Sequence, residues 1–146
     1  MKGEPVKYIY ETNLKWTEAK KGILSSVGKP DIHIACPPEF GGHKNIWSPE
    51  DLFLASVEVC IMTTFLWFVK KNNISFKSYL SSSKGYVKLD NGRFRFYKID
   101  INVKIAIDEK TDKEKIEIIL KKVKRACLIS NSISSEIAIF TEIVTN

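Results

Sequence analysis

From Leu52 to Val69 the chain is almost continuously apolar, and Lys70 and Lys71 follow at once. This segment constrains the fold more than any other, because an apolar surface of that extent must be covered by lipid or by protein. Glu58 lies in its middle, with Ser56, Thr63 and Thr64 near it. A central carboxylate costs about 2.5–3.5 kcal/mol on membrane-insertion scales, and the chain has no second such stretch. We therefore read it as the buried central helix of a soluble protein. Ser48 stands as its N-cap, Pro49 at its first position and Asp51 at its third. Asn72 and Asn73 end it near Lys71. A helix apolar on nearly every side needs cover on nearly every side. With 146 residues the chain is expected to form a single domain over residues 1–146, with few elements to spare for that cover. A partner subunit is the natural one.

Around this helix the sequence predicts an α+β chain in the order β-β-β-α-β-β-α-β with antiparallel pairing. Strands are expected over 6–16, 22–27 and 31–36, split by the turn Gly28-Lys29-Pro30. Cys36-Pro37-Pro38-Glu39-Phe40-Gly41-Gly42 is a shaped loop, since proline removes donors and glycine bends the chain. After the long helix, Asn91-Gly92 marks a type I′ hairpin with arms over 75–89 and 93–107. A second helix is expected from Thr111, capped with Glu114, with Ile116, Ile119, Leu120, Val123 and Cys127 forming one apolar stripe. Lys121, Lys122, Lys124 and Arg125 lie off that stripe and read as a solvated face. Ser130-Asn131-Ser132 breaks the helix, and residues 136–144 form a last strand.

Charge and cysteines bound the function classes. Lys plus Arg number 23 and Asp plus Glu 17, a net charge of +6, too modest to imply nucleic acid by itself. Three cysteines form no regular framework, so a stapled secreted domain is not expected. No apolar run follows Met1-Lys2-Gly3-Glu4-Pro5, and no signal peptide is expected. The reading is a cytoplasmic protein with reduced thiols. His33 and Cys36, an odd offset apart on a strand, face opposite sides, and no zinc-binding spacing exists.

Cys60 is the first candidate for chemistry. Ser56, Thr63 and Thr64 surround it at helical spacing, so three hydroxyls are available to a thiolate. The helix dipole is about three turns away, and activation needs a cation from elsewhere. The alternative is a plain core cysteine. Cys127 lies on the inward stripe of the second helix. The two thiols either come within disulfide reach or remain two core cysteines that never meet. Glu50 complements the helix dipole. Glu58, about 200° round the helix from Cys60, is expected to pair with a Lys or Arg or to reach solvent. Trp67, at i+7 from Cys60, is positioned to wall its pocket.

Three stretches together resemble a known family. Pro38-Glu39-Phe40-Gly41-Gly42, Ser48-Pro49-Glu50-Asp51-Leu52-Phe53-Leu54-Ala55-Ser56-Val57-Glu58-Val59-Cys60 and Ala126-Cys127-Leu128-Ile129-Ser130-Asn131-Ser132 are similar to the OsmC/Ohr family, the osmotically induced and organic hydroperoxide resistance proteins. The resemblance implies an OsmC-like fold in an intertwined homodimer, with the central helices between two sheets. It implies a thiol peroxidase without cofactor, acting on a small organic hydroperoxide and restored by a dithiol reductant. Cys60 would be the peroxidatic thiol and Cys127 the resolving one. Glu50 and an early-strand arginine would order the site. Here that arginine is replaced by lysine, Lys20 or Lys21 before Gly22, which supplies charge without a planar fork. Leu128 also stands where peroxidase members often carry proline. Glu50 and Cys60 are ten residues apart, ~15 Å along a helix, and meet only across a break or from two chains. Phe53, Phe65 and Trp67 would favour organic peroxides, with Thr64 beside the thiol. The rival readings are a redox-inactive dimer holding an apolar ligand in its crevice, and a basic adaptor. Neither nucleic acid nor membrane is an expected partner.

Overall fold

The structure, a computed structural model, describes residues 3–146. It divides into two compact units, one ending at Leu52 and one running from Phe53 to Asn146.

The first unit holds a three-stranded antiparallel sheet in the order β1 (Asn13–Glu18), β2 (Lys21–Ser25), β3 (Ile32–Ala35). The first strand is shorter than the expected 6–16. Asn13 pairs with Ser25, where β2 ends, so the residues before Asn13 run past the end of their would-be partner. Val6, Tyr8 and Tyr10 alternate as a strand would and are exposed. After β3 the shaped loop closes on itself. Gly42 N donates to the Pro37 carbonyl at 3.0 Å and His43 N to the Cys36 carbonyl at 2.8 Å. A Cβ on Gly42 would fall 1.7 Å from the Cys36 oxygen, so only glycine fits this close approach.

α1 (Pro49–Lys71) begins with the expected cap in reciprocal form. Asp51 N donates to Ser48 Oγ at 3.1 Å, and Ser48 N donates to the Asp51 carboxylate at 3.0 Å. Asn73 ends it at a positive φ of 52°. By length and composition α1 is apolar enough to cross a membrane. Its Val57, Ile61, Phe65 and Val69 are nonetheless core residues of the second unit.

That unit pairs α1 and α2 (Lys113–Ala126) with a three-stranded sheet in the order β4 (Ser78–Asp90), β5 (Arg93–Ile107), β6 (Glu136–Thr145). Asn91 and Gly92 both take positive φ, 49° and 74°, as a type I′ turn requires. Ile99, Ile101, Val103, Ile105 and Ile107 alternate along β5 and meet the α1 stripe and Ile116, Ile119, Leu120 and Val123 of α2. The result is an α+β fold, with one correction. β6 runs parallel to β5, Lys98 pairing with Glu136 and Ile107 with Thr145, so the second sheet is mixed rather than antiparallel. The connection is the reason: a helix lies between β5 and β6, and a strand–helix–strand crossover returns the chain in the direction it left. A smaller correction concerns α2. Its N-cap is Asp112, whose carboxylate accepts from Glu114 N and Lys115 N. Thr111 instead donates its hydroxyl to Asp108 and to the Ser75 carbonyl.

Candidate redox site

In the second unit the helices bring two thiols together. Cys60 is half-buried on α1, Cys127 is fully buried as the C-cap of α2, and neither is in a disulfide. The two are hydrogen-bonded side chain to side chain. Burial pushes the Cys127 thiol above its ordinary pKa, and the bond to Cys60 pushes the same way. Both causes disfavour the Cys127 thiolate. Ser130 opposes them, first through its side chain and then through its backbone N–H, which donates to Cys127 Sγ at 3.4 Å. Ser130 follows from the end of α2, where Asn131 N reaches back to the Cys127 carbonyl at 3.1 Å. The sequence offered Ser130 only as a helix breaker, and its role as a donor to sulfur went unread.

The hydroxyls expected around Cys60 are mostly engaged elsewhere. Ser56 Oγ donates to the Phe53 carbonyl at 2.7 Å and Thr63 Oγ1 to the Cys60 carbonyl at 3.2 Å. Back-bonding to the helix's own carbonyls is the local alternative for such side chains. Thr64 is half-buried. Glu58 is half-buried and, among the described residues, has no Lys or Arg as an ion-pair partner. Ser81 Oγ donates to it at 2.6 Å and Ser83 Oγ at 3.0 Å. The two serines are two apart on β4 and so share one face. Tyr79, next on that face, has its hydroxyl buried without a hydrogen-bond partner of good geometry. Burial, and then the Glu58 charge, push its pKa up to about 12.

The remaining predicted residues fall in different places. Phe53 stacks on Phe96 with ring centroids 4.8 Å apart. Phe65 is fully buried between Phe76 and Tyr79. Trp67 is 56% exposed, edge-on to Phe68, with the Lys71 ammonium 4.7 Å over its ring. Lys20, Lys21 and Glu50 belong to the first unit. Lys20 Nζ donates to the Phe40 carbonyl at 2.9 Å, and Lys21 lies 3.7 Å from Glu18. Glu50 keeps one carboxylate oxygen buried without a hydrogen-bond partner. α1 is unbroken between Glu50 and Cys60. Cys36 stays apart from the thiol pair in sequence and bonding, its Sγ directed at the Phe40 carbonyl at 3.5 Å.

A thiol at the middle of α1 beside one at the end of α2 matches the family motif read from the sequence. A sequence profile described as OsmC-like protein matches residues 41–142. The chain belongs to the OsmC-like family. An uncharacterized protein of Methanocaldococcus jannaschii is 35% identical over 97 residues, 66% of this chain and 50% of that protein. The chain thus spans about half the length of this curated relative. Among solved structures, an OsmC-like protein of unknown function from Vibrio cholerae superposes with a TM-score of 0.80 at 19% identity, covering 94% of this chain and 100% of that one. An organic hydroperoxide resistance protein from Elizabethkingia anophelis gives a TM-score of 0.73 at 20% identity, covering 97% and 100%. At such identities the likeness establishes the OsmC-like fold.

Proposed function

We propose that this OsmC-like protein is a cytoplasmic, homodimeric thiol peroxidase that reduces organic hydroperoxides. The observation that carries the reading is the hydrogen bond between the Cys60 and Cys127 thiols. In the proposed cycle the Cys60 thiolate attacks the distal oxygen of ROOH and the O–O bond breaks. ROH leaves after taking a proton, and Cys60 becomes a sulfenic acid. The Cys127 sulfur then attacks the Cys60 sulfur, water departs, and a disulfide remains. A dithiol reductant returns both thiols and is itself oxidised to a disulfide. A free cysteine has a pKa of about 8.5, so only a few per cent is thiolate at neutral pH without help. Lys20, with Lys21 as the alternative, is the proposed cation, and Glu50 the group that orders it. Phe53, Thr64 and Trp67 are the proposed substrate contacts. The homodimer is proposed to cover the apolar residues that α1 leaves exposed, Val59, Leu66 and Trp67 among them.

Those same residues favour a second reading, a redox-silent dimer holding an apolar ligand. One equivalent of an organic hydroperoxide separates the two. The peroxidase reading expects wild type to lose two hydrogens by intact mass. Cys127→Ser should instead gain one oxygen, and a second only when further hydroperoxide is added, Cys60→Ser should not react, and Cys36→Ser should match wild type. Identical oxidised masses for wild type and Cys127→Ser would mean that the thiols do not resolve one another. No loss of free thiol would leave the binding reading.

A further inference from the structure

α1 packs through a repeat that nearly maps onto itself. Val57, Ile61, Phe65 and Val69, four apart, all enter the core of the second unit. Sliding the helix by one turn, ~5.4 Å, would put one apolar residue where another stood. Apolar contact is non-directional, so this stripe alone fixes the height of the helix weakly. The same slide would carry Cys60 ~5.4 Å along the axis from Cys127, and the two thiols are in hydrogen-bonding contact.

One line of α1 side chains is not self-similar. Leu54, Glu58 and Phe65 fall within ~40° of one another around the helix. They meet β4 in reverse order. Leu54 abuts Gly85, where a Cβ would stand 2.6 Å from Leu54 Cδ2. Glu58 accepts from Ser83 at 3.0 Å and from Ser81 at 2.6 Å, one hydroxyl on each carboxylate oxygen. The Phe65 ring centroid lies 5.4 Å from that of Tyr79. Ser81 and Ser83 stand opposite Val103 and Ile101 of β5, both core residues, and so belong to the core-facing row of the sheet. A carboxylate moved one turn along would lose both donors while still half-buried, which is costly.

We propose that Glu58 is a positioning residue for the thiol pair: clamped by Ser81 and Ser83, it fixes the height and rotation of α1 so that Cys60 meets Cys127. The proposal rests on the peroxidase reading for the use of that pair, and on the geometry alone for the clamp. Glu58 and Cys60 are two residues apart and ~200° round the helix, so fastening the one to β4 turns the other away from that strand. A single buried polar contact sets register in this way where apolar contacts leave it open.

The test separates register from stability. The full-length protein is equilibrated in dithiothreitol redox buffers and quenched with acid, and the Cys60–Cys127 disulfide is quantified by peptide mass mapping. As it forms, the two thiols lose two electrons and two protons to oxidised dithiothreitol, which becomes the dithiol. Urea midpoints are measured in parallel. Glu58→Leu removes the carboxylate and keeps an apolar side chain, and its urea midpoint is expected to equal or exceed that of wild type. Its equilibrium constant for the disulfide is expected to fall about tenfold, a shift of about 30 mV toward easier reduction. Ser81→Ala/Ser83→Ala should lower the constant as far while lowering the midpoint. Glu58→Gln, whose amide accepts from one serine and donates to the other, should stay within about twofold of wild type. A wild-type constant in Glu58→Leu, or a fall in Glu58→Gln as large as in Glu58→Leu, would overturn the proposal and leave the peroxidase reading standing. If wild type forms no Cys60–Cys127 disulfide in the most oxidising buffer, both fall together.

Discussion

α1 and α2 contribute to the same core and bury themselves in different ways. α2 covers Ile116, Ile119, Leu120 and Val123, and between them carries mostly Lys, Arg and Glu. Its sequence records a boundary between protein and water. α1 covers Val57, Ile61, Phe65 and Val69, spaced by four, and carries Val59, Leu66 and Trp67 on surfaces that the chain leaves exposed. Its sequence records surfaces that one chain does not supply. A helix whose pattern matches its burial is explained by its own chain. A helix more apolar than its burial points to another occupant, here proposed to be a second copy.

The strongest way to break the comparison is to truncate one residue of each α1 face. Phe65→Ala should cost about 3–5 kcal/mol in chemical denaturation at any protein concentration, since it leaves a cavity in the core. Trp67→Ala should change little in dilute protein and weaken self-association, read by sedimentation. Equal, concentration-independent losses would show that the faces do not differ.

The next test concerns the polar group inside the apolar helix. Ser81→Ala/Ser83→Ala strips both hydrogen bonds from the Glu58 carboxylate. A loss of about 1–3 kcal/mol is expected, measured by thermal melting. Adding Glu58→Gln, which removes the charge, should restore part of it. For α2, Asp112→Ala should cost about 1 kcal/mol through its cap, while Thr111→Val should leave the N–H groups of Glu114 and Lys115 satisfied. A larger effect at Thr111 than at Asp112 would contradict the observed cap.

The smallest expected effect is in alkali. Tyr79 is raised from 10.0 to about 12, so folding holds its proton more tightly than the unfolded chain does. Its stabilising contribution is fully present below pH 10 and is lost as the pH rises through about 12. The side chain is only partly buried, which keeps the effect modest. Ultraviolet titration should show one late phenol, absent in Tyr79→Phe, and denaturation midpoints in that variant should fall less between those two pH values.

What was legible in the sequence was legible for local reasons. Ser48 with Asp51, Asn91-Gly92 and the α2 stripe each encode their geometry within a few residues. The direction of β6 was not, because its own residues alternate equally well in either sense and only the crossover decides. Val6, Tyr8 and Tyr10 show the limit in reverse: a good strand pattern without a partner strand beside it. At the site, the contact of Cys60 with Cys127 was one of two open outcomes, since inward faces of two helices do not fix their relative height. The serines that hold Glu58 went unread because their contact is long-range, 23 and 25 residues away. The placement of Lys20 on the Phe40 carbonyl depends in the same way on how the loop after β3 closes.

The parallel seam between β5 and β6 also orders events in time. The β4–β5 hairpin closes across the two residues Asn91 and Gly92, so its zipper starts as soon as both arms exist. Lys98 meets Glu136 only after the 37 residues between them, including all of α2, have been made and looped back. Closing that longer loop costs more chain entropy before any pairing is gained, and non-local pairing of this kind slows folding. Cys127 lies inside that loop. As the nascent chain emerges, Cys60 therefore spends an interval without its hydrogen-bonding thiol partner, and the pair is completed only once the crossover has closed.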